Sequence, residues 1–259
     1  DYINSVGVLH HLDQPEAGLR SLADRLAPSG LLHLFLYADA GRWEIHRTQK
    51  ALSLLNAGTG SEGLHLGREL FETLPEGNRL ARHHRERWAV DCAPDANFAD
   101  MYLHPQETSY NLERLFAFIE TAGLHFAGFS NPEVWDPSRL LQGELLERAQ
   151  ALPPRQQWEL VEQLDPDISH FEFFLSAAPV ERARWSDEAL GLARGLVQPC
   201  LWGEPDPILG RNMEPIQLTD ADRSLLRTVA EQPEQRLGAL ASPDQIRDLV
   251  DRQLLLLQE

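Results

Sequence analysis

The stretch Asp1-Tyr2-Ile3-Asn4-Ser5-Val6-Gly7-Val8-Leu9-His10-His11-Leu12 decides the fold. Tyr2 to Leu9 is short, apolar and partly β-branched, and polar turn residues follow it, which predicts a strand. Asp13-Gln14-Pro15-Glu16 predicts a helix start with Asp13 as N-cap. Leu19, Leu22, Ala23 and Leu26 then recur at helical spacing, and Pro28-Ser29-Gly30 ends the run. Leu31 to Tyr37 predicts a second strand, apolar nearly throughout, as expected of a parallel strand covered on both faces. Strand, helix and strand in this order form a βαβ unit, whose crossover is right-handed.

Downstream, Trp43 to Leu55 has helical periodicity, Asn56 to Gly63 is a glycine-rich break, and Leu66 to Leu74 reads as a short helix. Glu76 to Pro105 is poorly periodic and is expected to be irregular, with a loop around Cys92-Ala93-Pro94-Asp95. Asn111 to Ala122 is amphipathic and closes at Gly123. Leu124 to Phe129 predicts a third strand, Leu140 to Leu152 and Arg155 to Leu164 two helices, and Ser169 to Ser176 a fourth strand with Phe171, Phe173 and Phe174 as core. A helix around Asp187 to Leu196 then leads into a Pro/Gly-rich linker, Gln198 to Pro215. Helices at 220–230, 236–241 and 243–251 and an apolar tail, Leu254 to Leu257, suggest a small winged-helix-like module.

The 259 residues carry 23 Lys+Arg against 40 Asp+Glu, a formal net charge of −17, and Lys50 is the sole lysine. Such a balance disfavours attraction to phosphate backbones, so no nucleic-acid partner is expected. No apolar run reaches the length of a bilayer span, and no signal-peptide pattern opens the chain, so the expectation is a cytoplasmic protein without a membrane partner. Cys92 and Cys200 lie far apart and form no ligand spacing, which predicts two free thiols.

The opening stretch, with Leu26-Ala27-Pro28-Ser29-Gly30-Leu31-Leu32, resembles the fourth-strand region of class I S-adenosylmethionine-dependent methyltransferases. The family pattern there runs D-x-I-x-S-x-G-V-L-H-H-L, a helix, then L-x-P-G-G; Ser29 replaces the first glycine of that turn. Asp100 to Pro105, Tyr110, Ala122-Gly123-Leu124, Gly128-Phe129 and His170 to Leu175 look like the later part of such enzymes. The resemblance implies an α/β fold with a partial Rossmann-like sheet, family strands 4-5-7-6, carrying helical insertions. The expected organisation is a partial methyltransferase domain over 1–178, a helix and linker over 179–217, and the small module over 218–259. The glycine-rich turn after strand 1 and the acidic residue ending strand 2, which hold the cofactor in the family, are expected to precede Asp1. A chain entering a strand directly at Asp1 is thus expected to be a fragment that binds S-adenosylmethionine weakly and is inactive alone.

By resemblance, Ser5, Val6, Gly7, Leu9 and His10 would line the methionine end of the cofactor. His10, His11 and Tyr110 are the candidate catalytic residues, and Tyr37, Tyr102 and His104 the candidate acceptor contacts. Histidine titrates near neutrality and suits a general base. His10-His11-x-Asp13 lacks a further ligand cluster, so no metal is expected. Gly58-Thr59-Gly60-Ser61-Glu62-Gly63 satisfies G-x-G-x-x-G, but a helix rather than a strand precedes it, which favours an interhelical loop. Two functions remain in view. One is methyl transfer by the intact parent to a small-molecule or protein acceptor; the other is a non-catalytic interaction module that engages a protein partner through its C-terminal part.

Overall fold

Seven consecutive residue pairs join Leu31–Tyr37 (β2) to His170–Ser176 (β4) in antiparallel register, from Leu31 opposite Ser176 to Tyr37 opposite His170. Around this pair, Tyr2–Val6 (β1) runs parallel to β2, and His125–Phe129 (β3) runs antiparallel to β4, giving the order β1-β2-β4-β3. The computed structural model describes residues 1–180, 185–198, 208–209 and 215–258. The chain divides into two units, Asp1–Val180 and Glu181–Glu259.

Period-two alternation separates the faces of the central pair. Leu32, Leu34 and Leu36 lie opposite Leu175, Phe173 and Phe171, and all six are fully buried. Leu19 of Pro15–Ala23 (α1) joins them in the core. So do Leu112, Leu115, Phe118 and Ile119 of Leu112–Glu120 (α6), and Val161 of Pro154–Leu164 (α8). Each such side chain contributes about 1.5–3 kcal/mol by leaving water. The other face carries His33, Phe35 and Tyr37 opposite Phe174, Glu172 and His170. There Phe35 stacks on His170 at 4.6 Å, and His33 Nε2 lies 3.0 Å from a Glu172 carboxylate oxygen. The expectation of a strand covered by apolar residues on both sides is therefore corrected: β2 has one aliphatic face and one of aromatic and polar groups.

Several sequence expectations shift locally. The first strand stops at Val6, because Gly7 turns the chain at φ 69° and Leu9–His11 forms a 3-10 turn. Gln14, not Asp13, is the N-cap residue of α1, and no side chain caps it. Gly143–Gln150 (α7) is shorter than the helix expected over 140–152.

A separate core packs the helices between β2 and α6. Trp43–Leu54 (α2), Ser61–Thr73 (α3) and Asp95–Leu103 (α5) enclose Ile45, Leu52, Phe98, Tyr102 and Cys92. The segment expected to be irregular, 76–105, is mostly helical: Arg79–His83 (α4) runs into a π-helical turn, His84–Trp88, and then α5 follows. The G-x-G-x-x-G stretch joins α2 to α3. Gly63 packs where a Cβ would lie 2.3 Å from the Gly58 carbonyl oxygen, so its glycine serves backbone packing.

In the second unit, Asp187–Leu192 (α9) is followed by Arg194–Val197 (β5), which pairs antiparallel with Leu255–Gln258 (β8). The apolar tail is therefore a strand. The helix expected over 187–196 ends at Leu192, its last residues form β5 instead, and both lie in the unit Glu181–Glu259. Ile208–Leu209 (β6) pairs with Pro215–Ile216 (β7). Asp220–Glu231 (α10) begins with a capping box between Thr219 and Asp222, and Pro243–Asp251 (α11) follows. Leu225, Leu226, Val229, Leu237, Ile246 and Leu249 form its own core. The rest of the expected linker, 199–207 and 210–214, and Cys200 lie outside the described residues.

Candidate functional site

The carboxyl ends of β1 and β2 lie side by side because the two strands are parallel, and in open α/β sheets ligands bind beyond such ends. A third segment, 104–110, is laced over them. The Thr108 N–H donates to the His10 carbonyl at 2.8 Å, the Tyr110 N–H to the Tyr37 carbonyl at 2.9 Å, and the Asp39 N–H to the Tyr110 carbonyl at 2.7 Å. The site is thus built from three stretches brought together by backbone hydrogen bonds.

His10 is fully buried and stacks on Tyr37 at 3.8 Å between ring centroids, with its edge to His11 at 4.3 Å. Neither of its ring nitrogens has a hydrogen-bond partner among the described residues. Burial, reinforced by the neighbouring His11, pushes its pKa down to about 3, so the imidazole is neutral near pH 7. A base that weak removes few protons at neutrality, which corrects the expectation of His10 as a general base there. As a neutral imidazole it can still donate one hydrogen bond from its N–H nitrogen and accept one at the other.

His11 is anchored by donation from Nδ1 to the Gln106 carbonyl at 2.9 Å, and its ring lies 4.0 Å from that of His104. Tyr37 meets His10 on its ring and also carries the Arg42 guanidinium 3.5 Å from its centroid. Burial raises the Tyr37 hydroxyl above its ordinary pKa. Arg42 then reaches Glu107 with two parallel bonds, Nε to Oε1 at 2.8 Å and Nη2 to Oε2 at 2.6 Å. His46 Nε2 adds 3.0 Å to Oε1, and Gln49 Nε2 donates to Oε2 at 3.2 Å. Burial alone would raise the Glu107 carboxyl, but the bonds from His46 and Arg42 and the guanidinium charge overcome it and hold the pKa at about 2. A pocket of about 720 Å³ opens beside this network, lined by His46, Gln49, Lys50, Tyr102, His104 and Glu107 among others.

The structure therefore gathers His10, His11, Tyr37 and His104. Ser5 is buried near the end of β1, Val6 is exposed, Gly7 makes the turn, and Leu9 packs into the sheet core. Tyr110 is not brought to the histidines: its ring packs 5.1 Å from Phe118 in the core, and burial raises its pKa. Tyr102 sits in the helical core with Phe71 and Phe98, 2.9 Å from His84 Nδ1, although it also borders the pocket. Sequence reasoning missed Arg42, His46, Gln49 and Glu107. The first three recur at i, i+4 and i+7 along α2 and its start, one polar stripe whose spacing was a usable signal. It also missed that His11, Asp100 and His104 place one ligand atom each within 4.8 Å of one another, a grouping in which Asp13 takes no part.

The fold is shared with solved structures, one of them in complex with AdoHcy. Two structures of PKMT2 from Rickettsia typhi superpose on all of the chain, with TM-scores of 0.59 and, for the complex with AdoHcy, 0.63, at 16% and 15% identity. In sequence, the uncharacterized protein syc1184_c of Synechococcus sp. is 43% identical over 274 residues, covering 99% of this chain. The chain spans 65% of that curated relative and 58% of each solved chain. No family profile matches the sequence.

Proposed function

We propose that the chain forms the acceptor side of an S-adenosylmethionine-dependent methyltransferase whose longer parent moves a methyl group to a small-molecule or protein acceptor. The observation that carries this reading is the gathering of His10, His11, Tyr37 and His104 at the carboxyl ends of two parallel strands, beside a pocket, in a fold shared with an AdoHcy-bound structure. The residues fit one wall of a cofactor site. Ser5 to Gly7 lie where β1 ends, Gly7 has open space around its α-carbon, and His10 keeps two buried nitrogens without a hydrogen-bond partner among the described residues. When bound, the cofactor supplies an electrophilic methyl group. The chain's own residues would position the acceptor and exclude water, and the glycine-rich turn that grips the cofactor would come from elsewhere in the longer protein. Alignment of donor and acceptor can supply much of the rate in such a transfer.

In the pocket, Glu107 is fully engaged by Arg42, His46 and Gln49 and acts as a positioning residue for their stripe. We read the second unit as a winged-helix-like protein-contact module, whose β5–β8 ribbon exposes Leu196 and Leu256 as a cross-strand pair.

Calorimetric titration of AdoHcy into the full-length relative and into this chain alone tests the reading. Binding by the longer protein, with methyl incorporation from labelled S-adenosylmethionine into a cell extract, is expected, together with weak or no binding by the chain alone. Absence of AdoHcy binding to the longer protein would sink the methyltransferase reading; binding without transfer would favour an interaction module. Micromolar binding by the chain alone would overturn the expectation that the cofactor grip lies elsewhere.

A further inference from the structure

We infer that His11, Asp100 and His104 form a binding site for one divalent transition-metal ion of the zinc class. The three residues come from two stretches that the lacing of segment 104–110 brings together, and each offers one ligand atom within 4.8 Å of the others. Asp100 lies in the last turn of α5 and His104 is its C-cap residue four positions on, which brings the two side chains to one side of the helix end. His11 arrives from the 3-10 turn after β1.

The hydrogen bonds around the histidines favour ligation. A carbonyl oxygen only accepts, so the 2.9 Å contact to Gln106 requires the proton of His11 on Nδ1, leaving the Nε2 lone pair for a cation. Histidines that ligate metals are commonly held in this way, the second nitrogen donating to a backbone carbonyl. His104 already presents an unprotonated Nδ1, which accepts from the Gln106 N–H at 3.2 Å. That bond is long, and its loss to a metal–nitrogen bond costs little. Before a cation binds, the backbone of Gln106 thus orients both rings, through its carbonyl for His11 and its N–H for His104. The fully buried His10, packed 4.3 Å from His11 with both nitrogens unpartnered among the described residues, adds a polar group awaiting a ligand in the same cluster.

The donor set selects the ion class. Two imidazole nitrogens and one carboxylate oxygen suit zinc, cobalt, nickel, manganese or ferrous iron, whereas calcium and magnesium take shells of oxygen. Bonds of about 2.0–2.2 Å place tetrahedral ligand atoms roughly 3.3 Å apart, so no pair here has to close by more than roughly 1.5 Å. Asp100 is exposed, so a change of rotamer at its side chain would supply such a movement. Three protein ligands leave a coordination position open, and His104 also lines the 720 Å³ pocket, which puts that position within reach of a pocket ligand. The inference does not depend on the methyltransferase reading, since it concerns only the cation.

The test uses the full chain, stripped with chelator and titrated with Zn²⁺ and Co²⁺ by calorimetry and by cobalt absorption. One ion per chain with a tetrahedral or five-coordinate cobalt spectrum is expected. Asp100→Asn, an exposed substitution, and His104→Ala should each weaken binding by at least about 10–100-fold, the scale on which losing even an outer-shell partner of a metal site acts. His65→Ala is the control, because His65 and Glu69 form an exposed pair that could attract ions; its affinity should match wild type. Circular dichroism of each variant separates lost ligands from lost fold. The inference is overturned if no cation binds, if Asp100→Asn and His104→Ala bind as wild type does, or if the His65→Ala chain alone loses the ion.

Discussion

Glu107 is the residue on which the site's electrostatics turn, because among the described residues it is the carboxylate that pairs with the buried charge of Arg42, whose side chain is 3% exposed. Removing one member of a buried pair leaves the other uncompensated, so Glu107→Gln should cost about 3–5 kcal/mol in urea denaturation. The same carboxyl predicts a pH dependence. Its folded pKa, about 2, lies below the ordinary 4.5, so its contribution is fully present above pH 4.5 and is lost as pH falls toward 2. Wild type should therefore lose stability over that window more steeply than Glu107→Gln; equal slopes would show that the carboxylate is not held down. Gly7 makes a second residue-scale case. At φ 69° it has free space around a would-be Cβ, so Gly7→Ala strains the backbone alone and should cost about 1–2 kcal/mol in thermal melts.

At the scale of elements, the loop between α2 and α3 separates packing from ligand binding. Gly63→Ala would drive a Cβ into the carbonyls of Ala57 and Gly58 and should cost about 1–3 kcal/mol. Gly60→Ala meets nothing within 4 Å and should stay within about 1 kcal/mol of wild type by the same melts. An equal cost at both positions would contradict a purely structural loop. The four strands of the main sheet were legible because their short apolar runs are bounded by turn residues, whereas β5 was expected as the end of a helix and β8 as an apolar tail. The helical character of 76–105 was not, since α4 is five residues long and the following π-helical turn breaks the 3.6-residue period that a reader looks for. His10 and His11 could be singled out from their motif. Glu107 and Asp100 could not, because their meaning comes from partners 61–89 residues away in sequence (His46 and His11), and only the fold supplies those distances. Tyr110 misled for the opposite reason: its backbone belongs to the site while its ring belongs to the core.

At the scale of the whole molecule, each unit carries its own buried core, so unfolding should not be two-state. Differential scanning calorimetry of the chain should resolve two transitions, and a fragment of residues 1–180 should reproduce one of them; a single transition shared by all would contradict independent cores. No helix among the described residues is long and apolar enough to cross a membrane. The lacing of segment 104–110 onto the strand ends carries a consequence for exchange with deuterated solvent. The amide protons of Thr108 and Tyr110 are held by carbonyls of His10 and Tyr37, so they can be replaced only when the helical layer lifts from the sheet. Those two protons are clocks for that opening, and any ligand seated beneath the segment would slow both together.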